Sequence, residues 1–238
     1  MSVISLGYRY DRRYIMKLFH LSDIHLGKQL NGGMSLLEEQ EYMINQILEQ
    51  ARIHKPDVII FAGDIYDKSN PSAQTHQLYN DFMNQLDDLN IPVLMIAGNH
   101  DSPERLNIGS LFMAKRNIYI STSLPETEDD HLMKITLKDD YGNINFYLLP
   151  FMKTGHAKRF NGDISNYTEA IQFMLDREPI DFNQRNVLIS HQFYISNGKK
   201  PELRDSETII QSIGGLDEVD VEAVKNFDYV ALGHIHSN

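Results

Sequence analysis

The chain has 238 residues and a formal charge of −11, from 22 basic and 33 acidic side chains, with 42% hydrophobic and 23% charged residues. That composition excludes disorder of the bulk and allows one large domain or two small ones, at roughly 100–200 residues each. The absence of cysteine excludes disulfides, thiolate zinc sites, iron–sulfur clusters and a cysteine nucleophile, and the negative charge argues against gripping nucleic acid by bulk positive potential.

The first residues, MSVISLGYRYDRRYI, carry no periodicity, and Met16 opens a strand pattern, so residues 1–15 are expected to form an extension outside the fold. Arginines and tyrosines stand there where a secretory signal would be apolar, and no apolar run approaches the ~18 residues of a membrane span. The expectation is a cytoplasmic chain. A strand at 17–22 then runs into Asp23-Ile24-His25. A helix at 36–54 follows, with Leu36, Met43, Ile47 and Ala51 on one stripe. A strand at 57–62 runs into Gly63-Asp64, a helix spans 73–89, and a strand at 93–97 runs into Gly98-Asn99-His100-Asp101. Next come a short helix at 103–115, a strand at 118–120, strands at 132–137 and 144–149 around a turn at 141–143, and a helix at 165–176. The strand at 187–190 runs into His191. Residues 192–220, with Asn197-Gly198, Pro201 and Gly214-Gly215, read as a long loop, and loops of that length are usually functional. The last strand, 229–232, runs into Gly233-His234-Ile235-His236. Strands alternating with helices and then a hairpin predict an α/β fold with parallel strands covered by helices and a mixed sheet.

Five apolar runs thus end in Asp, Asn or His. Ligands of open α/β sheets bind outside the carboxyl ends of strands, so these residues should converge on one edge. Carboxylates, an amide oxygen and imidazoles suit manganese or iron and tolerate zinc, whereas calcium favours oxygen alone. Two aspartates against two divalent ions leave about +2 by simple addition of charges, which suits a phosphate ester. Any one of these pairs is ordinary turn chemistry; five in order, each directly after a strand, point to a metal site. His20, His54, His76, His131 and His156 lie off this pattern and read as structural or surface residues.

The series Asp23-x-His25, Gly63-Asp64, Gly98-Asn99-His100-Asp101, His191 and Gly233-His-x-His236 resembles that of the calcineurin-like metallophosphoesterases, over nearly the whole chain from Met16. Within them GDIYDKSNPS at 63–72, GNHDSPERL at 98–106 and the ending DYVALGHIH are similar to the SbcD-type nucleases, bacterial counterparts of the double-strand-break-repair nucleases. The resemblance implies mixed β-sheets sandwiched by helices, with the active site at the C-terminal ends of strands. It implies two divalent ions, manganese foremost, with magnesium, iron or zinc as alternatives. One ion would sit on Asp23, His25, Asp64 and His236, the other on Asp64, Asn99, His191 and His234. It further implies attack on a phosphodiester by a hydroxide between the ions, with His100 as general acid; Asp67, three residues beyond Asp64 where relatives often have histidine, is placed to accept a hydrogen bond from His100 and orient it. The implied substrate is DNA, cut from duplex ends and within single strands or hairpins, in repair, recombination and replication. The implied partners are an SbcC-type SMC-like ATPase and a second copy in a heterotetramer, with the copies meeting near 73–89 and 103–115.

Candidate phosphate contacts are Arg105, Lys28, Lys68 and Lys153, with Lys199, Lys200 and Arg204 in the long loop; Tyr66 and Phe193 would face a sugar or base, or form the wall. Two other readings compete: a small-molecule or protein phosphoesterase on the same scaffold, and a metal-binding adaptor. Members of the family continue past the last ligands into a capping domain and an ATPase-binding tail, so residues 16–238 are read as a nuclease domain cut short.

Overall fold

The computed structural model describes residues 2–5, 14–30, 32–196 and 218–234. In chain order the first half holds β1 (Ser2–Ser5), β2 (Lys17–Leu21), α1 (Leu37–His54), β3 (Val58–Ala62), α2 (Ala73–Asp88), β4 (Val93–Ile96), α3 (Pro103–Leu106), α4 (Ser110–Ala114) and β5 (Ile118–Ser121). Its strands form one sheet in the order β1-β2-β3-β4-β5, parallel from β2 onward. The second half holds β6 (Met133–Asp139), β7 (Gly142–Leu149), α5 (Thr154–Ala157), α6 (Tyr167–Asp176), β8 (Arg185–Ser190), β9 (Phe193–Ile195), β10 (Glu218–Asp220), a 3-10 turn at Val221–Val224, and β11 (Tyr229–Leu232). A second sheet runs β11-β8-β7-β6, with β6 antiparallel to β7, and β9 and β10 pair in parallel as a separate ribbon.

Successive side chains of a strand point to opposite faces, and here both faces are apolar. In β3, Val58, Ile60 and Ala62 face the second sheet together with Leu94 and Ile96, and meet Ile144, Phe146, Leu148, Val187, Ile189 and Ala231 from it. Ile59 and Phe61 turn the other way, onto α1 and α2 through Ile44, Leu48, Phe82 and Leu86. On the far side, Tyr147, Leu149 and Leu188 pack on Ala170, Ile171 and Met174 of α6. Such layering, helices on two face-to-face sheets, buries β3 and β4 completely, while β6 at the edge of the second sheet stays largely exposed. Within the second sheet Arg185 of β8 grips the Asp139 carboxylate of β6 at 2.6 and 3.0 Å, and that carboxylate reaches the residue ahead of β2 by accepting the Met16 N–H at 3.1 Å. His20 bridges β2 to β11, its ring nitrogens meeting the Tyr229 hydroxyl at 2.9 Å and the Leu232 carbonyl at 3.0 Å.

The structure corrects the sequence reading in several places. Ser2–Ser5, expected outside the fold, pair antiparallel with β2, and the Tyr14 N–H donates to Asp140 at 2.6 Å. The buried stripe of α1 is Gln40, Ile44, Ile47, Leu48 and Ala51, which includes the expected Ile47 and Ala51, whereas Met43 is only partly buried against the core and Leu36 lies ahead of the helix. Gly109, at φ 79°, breaks the expected helix 103–115 into α3 and α4. The expected loop 192–220 contains β9 and β10, and 197–217 lies outside the described residues. The expected single edge of converging strand ends is two edges, one from each sheet. Among the described residues no helix is long and apolar enough to cross a membrane.

Candidate metal centre

The loops after β2 and β3 leave their strands in step. The Asp23 N–H donates to the Gly63 carbonyl at 3.0 Å, His25 N–H to Asp64 at 3.0 Å, and Leu26 N–H to Ile65 at 2.8 Å. Asp23 (φ 55°), His25 (φ 49°), Asp64 (φ 53°) and His234 (φ 74°) all stand in the left-handed region. Each such residue costs on the order of 1–3 kcal/mol and persists where its surroundings over-determine it, as they do at functional sites. Gly63, at φ 90°, leaves the room that the His191 ring fills, and a side-chain carbon at Gly98 would collide with the Asp64 carboxylate.

Asp64 is the hub. It is buried, takes the His100 N–H at 2.9 Å on one oxygen, and presents the other at 3.3 Å from His191 Nε2 and 3.7 Å from His25 Nε2. Two donor sets share it: His25, Asp64 and His100, and Asp64, His191 and His234, with ligand atoms within 4.8 Å of one another in each set. Asn99 joins the second set, its side-chain oxygen 3.0 Å from His191 Nε2 and 2.8 Å from His234 Nδ1. The Asp23 carboxylate lies 4.0 Å from His25 Nε2 and accepts the His234 N–H at 3.1 Å.

The protonation states fit metal binding. Burial pushes His25 down to about 4, so at neutral pH it carries a lone pair. His191 Nδ1 donates to the Ala62 carbonyl at 2.7 Å, which turns Nε2 toward Asp64 and Asn99. An imidazole anchored through one nitrogen so that the other can ligate is the usual support of a metal-bound histidine. Burial disfavours charge on both His191 and Asp64, yet their mutual attraction outweighs it: the His191 pKa is raised and the Asp64 pKa lowered. A divalent ion on those atoms would replace the shared proton. The donor set, carboxylate, amide oxygen and imidazole without sulfur, suits manganese or iron.

The structure brings together Asp23, His25, Asp64, Asn99, His100, His191 and His234. His236 lies outside the described residues, as do Lys199, Lys200 and Arg204. The Asp67–His100 pairing takes a different form from the expected one. His100 Nδ1 donates to the Asp67 main-chain carbonyl at 2.8 Å, while the Asp67 carboxylate sits 3.5 Å from His25 Nδ1. The chain turns so closely after Asp64 that the carbonyl, not the side chain, faces His100. Lys28 is half-buried near His25, whereas Lys68, Arg105 and Lys153 are exposed. Tyr66 is buried against His76 and Tyr79 and is wall; Phe193 stands beside His234, ring centres 6.2 Å apart.

Three contributors had no role in the sequence reading. Asp101 is buried, and its carboxylate accepts the N–H groups of Gly98 at 2.8 Å, Ile65 at 3.1 Å and Tyr66 at 2.8 Å, stitching the β3 and β4 loops together. Its place in the Gly98–Asp101 run was the available signal. Phe151 lies with its ring centre 6.4 Å from His191 and 6.3 Å from His234. Gln40, from α1, reaches the His25 loop, and no sequence signal distinguished it from a surface glutamine.

A model of the calcineurin-like phosphoesterases matches residues 16–238. The SbcD component of the SbcCD nuclease from Staphylococcus epidermidis is 38% identical over 226 residues, covering 93% of this chain and 57% of that protein. The protein of the same name from Staphylococcus saprophyticus is 37% identical over 226 residues, covering 93% of this chain and 56% of that one. The chain spans a little over half the length of these relatives.

Proposed function

The chain belongs to the calcineurin-like phosphoesterase family, and from that premise we propose that it is the nuclease part of an SbcD-like protein, hydrolysing DNA phosphodiester bonds with two divalent ions. The observation that carries this reading is the pair of donor sets sharing Asp64. Two ions bound there supply positive charge for the phosphate oxygens and an activated water. Asp64 would hold both, with Asp23, His25 and, from the motif resemblance, His236 serving one, and Asn99, His191 and His234 serving the other. Manganese is the ion proposed. His100, fixed through Nδ1 by the Asp67 carbonyl, keeps Nε2 for the departing sugar oxygen and acts as general acid. Asp67 acts at one remove, through its carbonyl on His100 and its carboxylate beside His25. Lys28, half-buried and acting electrostatically on His25, would meet a phosphate at the site, and the exposed Arg105 and Lys68 would meet the DNA backbone.

The likeness to the SbcD component of the SbcCD nuclease supports nuclease action beside an SbcC-type partner; the motif resemblance extends the proposal to a cytoplasmic role in DNA repair and recombination, with exonuclease action on duplex ends and endonuclease action on single strands and hairpins. A second copy would cover Ile108, Leu111 and Phe112, which are 72%, 82% and 76% exposed.

Labelled hairpin and blunt duplex DNA, incubated with manganese beside a chromogenic phosphodiester, test the proposal. Degradation of DNA that stops on adding chelator is the expected result. Turnover of the small ester with intact DNA identifies a small-molecule phosphoesterase instead.

A further inference from the structure

The buried stripe of α1 includes one polar side chain, Gln40, 8% exposed and one turn ahead of Ile44. A buried amide is costly unless its donors and acceptor are met. Gln40 meets them on main chain alone: its oxygen accepts the Gly27 N–H at 2.9 Å, and its nitrogen donates to the His25 carbonyl at 2.6 Å, with a longer contact to the Ile24 carbonyl at 3.4 Å. All three belong to the loop on which His25 stands at φ 49°. That backbone region costs energy for any residue with a side chain, and the Gln40 bonds act with the His25 N–H to Asp64 carbonyl bond at 3.0 Å to hold the turn. We infer that Gln40 is a positioning residue: it fixes the left-handed turn at His25 and so aims the imidazole at Asp64 for metal binding. The inference rests on the metal-site reading. The clamp spans helix and loop, so the first donor set is tied to α1, whereas Asn99, His191 and His234 stand on other supports.

The test uses the full chain with Gln40→Leu, which keeps the volume and removes all three bonds, and Gln40→Glu. The glutamate retains the acceptor for Gly27 and sets a carboxylate against the His25 carbonyl. Metal-free protein is titrated calorimetrically with manganese, and in parallel with cobalt, whose visible absorption reports each ligand field. The expected result is two sites in the parent, of which one weakens tenfold or more in Gln40→Leu while the other stays within twofold. The cobalt spectrum should change in the bands of the weakened site alone. Gln40→Glu should weaken the same site, and it supplies the reading if Gln40→Leu does not fold. Unchanged affinities, or equal weakening of both sites in step with a lower Tm, would overturn the inference and leave Gln40 a packing residue. A parent chain that binds no manganese overturns the metal-site reading and this inference with it, which distinguishes the two failures.

Discussion

The two sheets contribute to the candidate centre unequally. From the first sheet come Asp23, His25, Asp64 and Asn99, on loops laced together by main-chain bonds and by two buried side chains, Gln40 and Asp101. From the second come His191 and His234, and their anchors belong to the first: His191 leans on the Ala62 carbonyl and the His234 N–H on the Asp23 carboxylate. One half is built by local loop structure, and the other is positioned by the packing of sheet on sheet. A ligand set divided in this way is held by whatever holds the sheets together.

The most direct way to break the comparison is at the shared hub. Asp64→Ala should abolish manganese binding in calorimetry and activity together, because both donor sets lose a member; retained stoichiometry would mean that the sets are independent. His100→Ala should leave metal content intact and lower turnover by about 10²–10⁴-fold, the range of a general acid. Loss of an ion in that variant would make His100 a metal ligand of the first donor set rather than the acid. Asp101→Ala tests the lacing. It leaves three buried N–H groups without their acceptor, and unfolding free energy from urea titration should fall by about 2–4 kcal/mol, at roughly 1–3 kcal/mol for an unsatisfied buried group with partial relaxation. A loss under about 0.5 kcal/mol would show that the loops hold themselves.

The smallest expected effect probes the other half. The Arg185 guanidinium holds the Asp139 carboxyl down to about 2, against an ordinary value of 3.8, with the Met16 and Tyr141 N–H groups assisting. A depressed carboxyl contributes stability in full above its unfolded pKa and loses it as pH falls toward the folded one. Asp139→Asn should therefore be less stable than the parent at pH 7, and the gap should close between about pH 4 and pH 2. A gap independent of pH would show that the carboxylate serves as a hydrogen-bond acceptor rather than as a charge.

Most of the strands were legible because their signals are local. β3 is five apolar residues ended by Gly63-Asp64, and a glycine at φ 90° followed by an aspartate at φ 53° terminates a strand wherever it occurs. The ligand types were legible for the same reason, each described ligand standing one to four residues beyond its own strand. The break at Gly109 was missed because the apolar pattern of 103–115 is continuous through it. β1 was missed because an edge strand with one partner needs no periodicity of its own. Asp67 was read as the partner of His100 from its position in the run after Asp64, and the turn delivers its carbonyl there instead.

What the sequence determined by itself, then, is the inventory: the strands of the two sheets other than β1, the order in which Asp, Asn and His follow them, and a donor set of oxygen and imidazole in a chain without cysteine. Only the tertiary structure decided that two sheets rather than one bring those residues together, that the Asp67 carboxylate serves His25, and that Gln40 from a helix clamps the His25 loop. The physical reason is range. Backbone conformation and strand period are set by neighbours in sequence, whereas the partner of a buried polar group is whichever group the packed core carries to it, here across separations that run from 13 residues between Gln40 and Gly27 to 211 between His234 and Asp23.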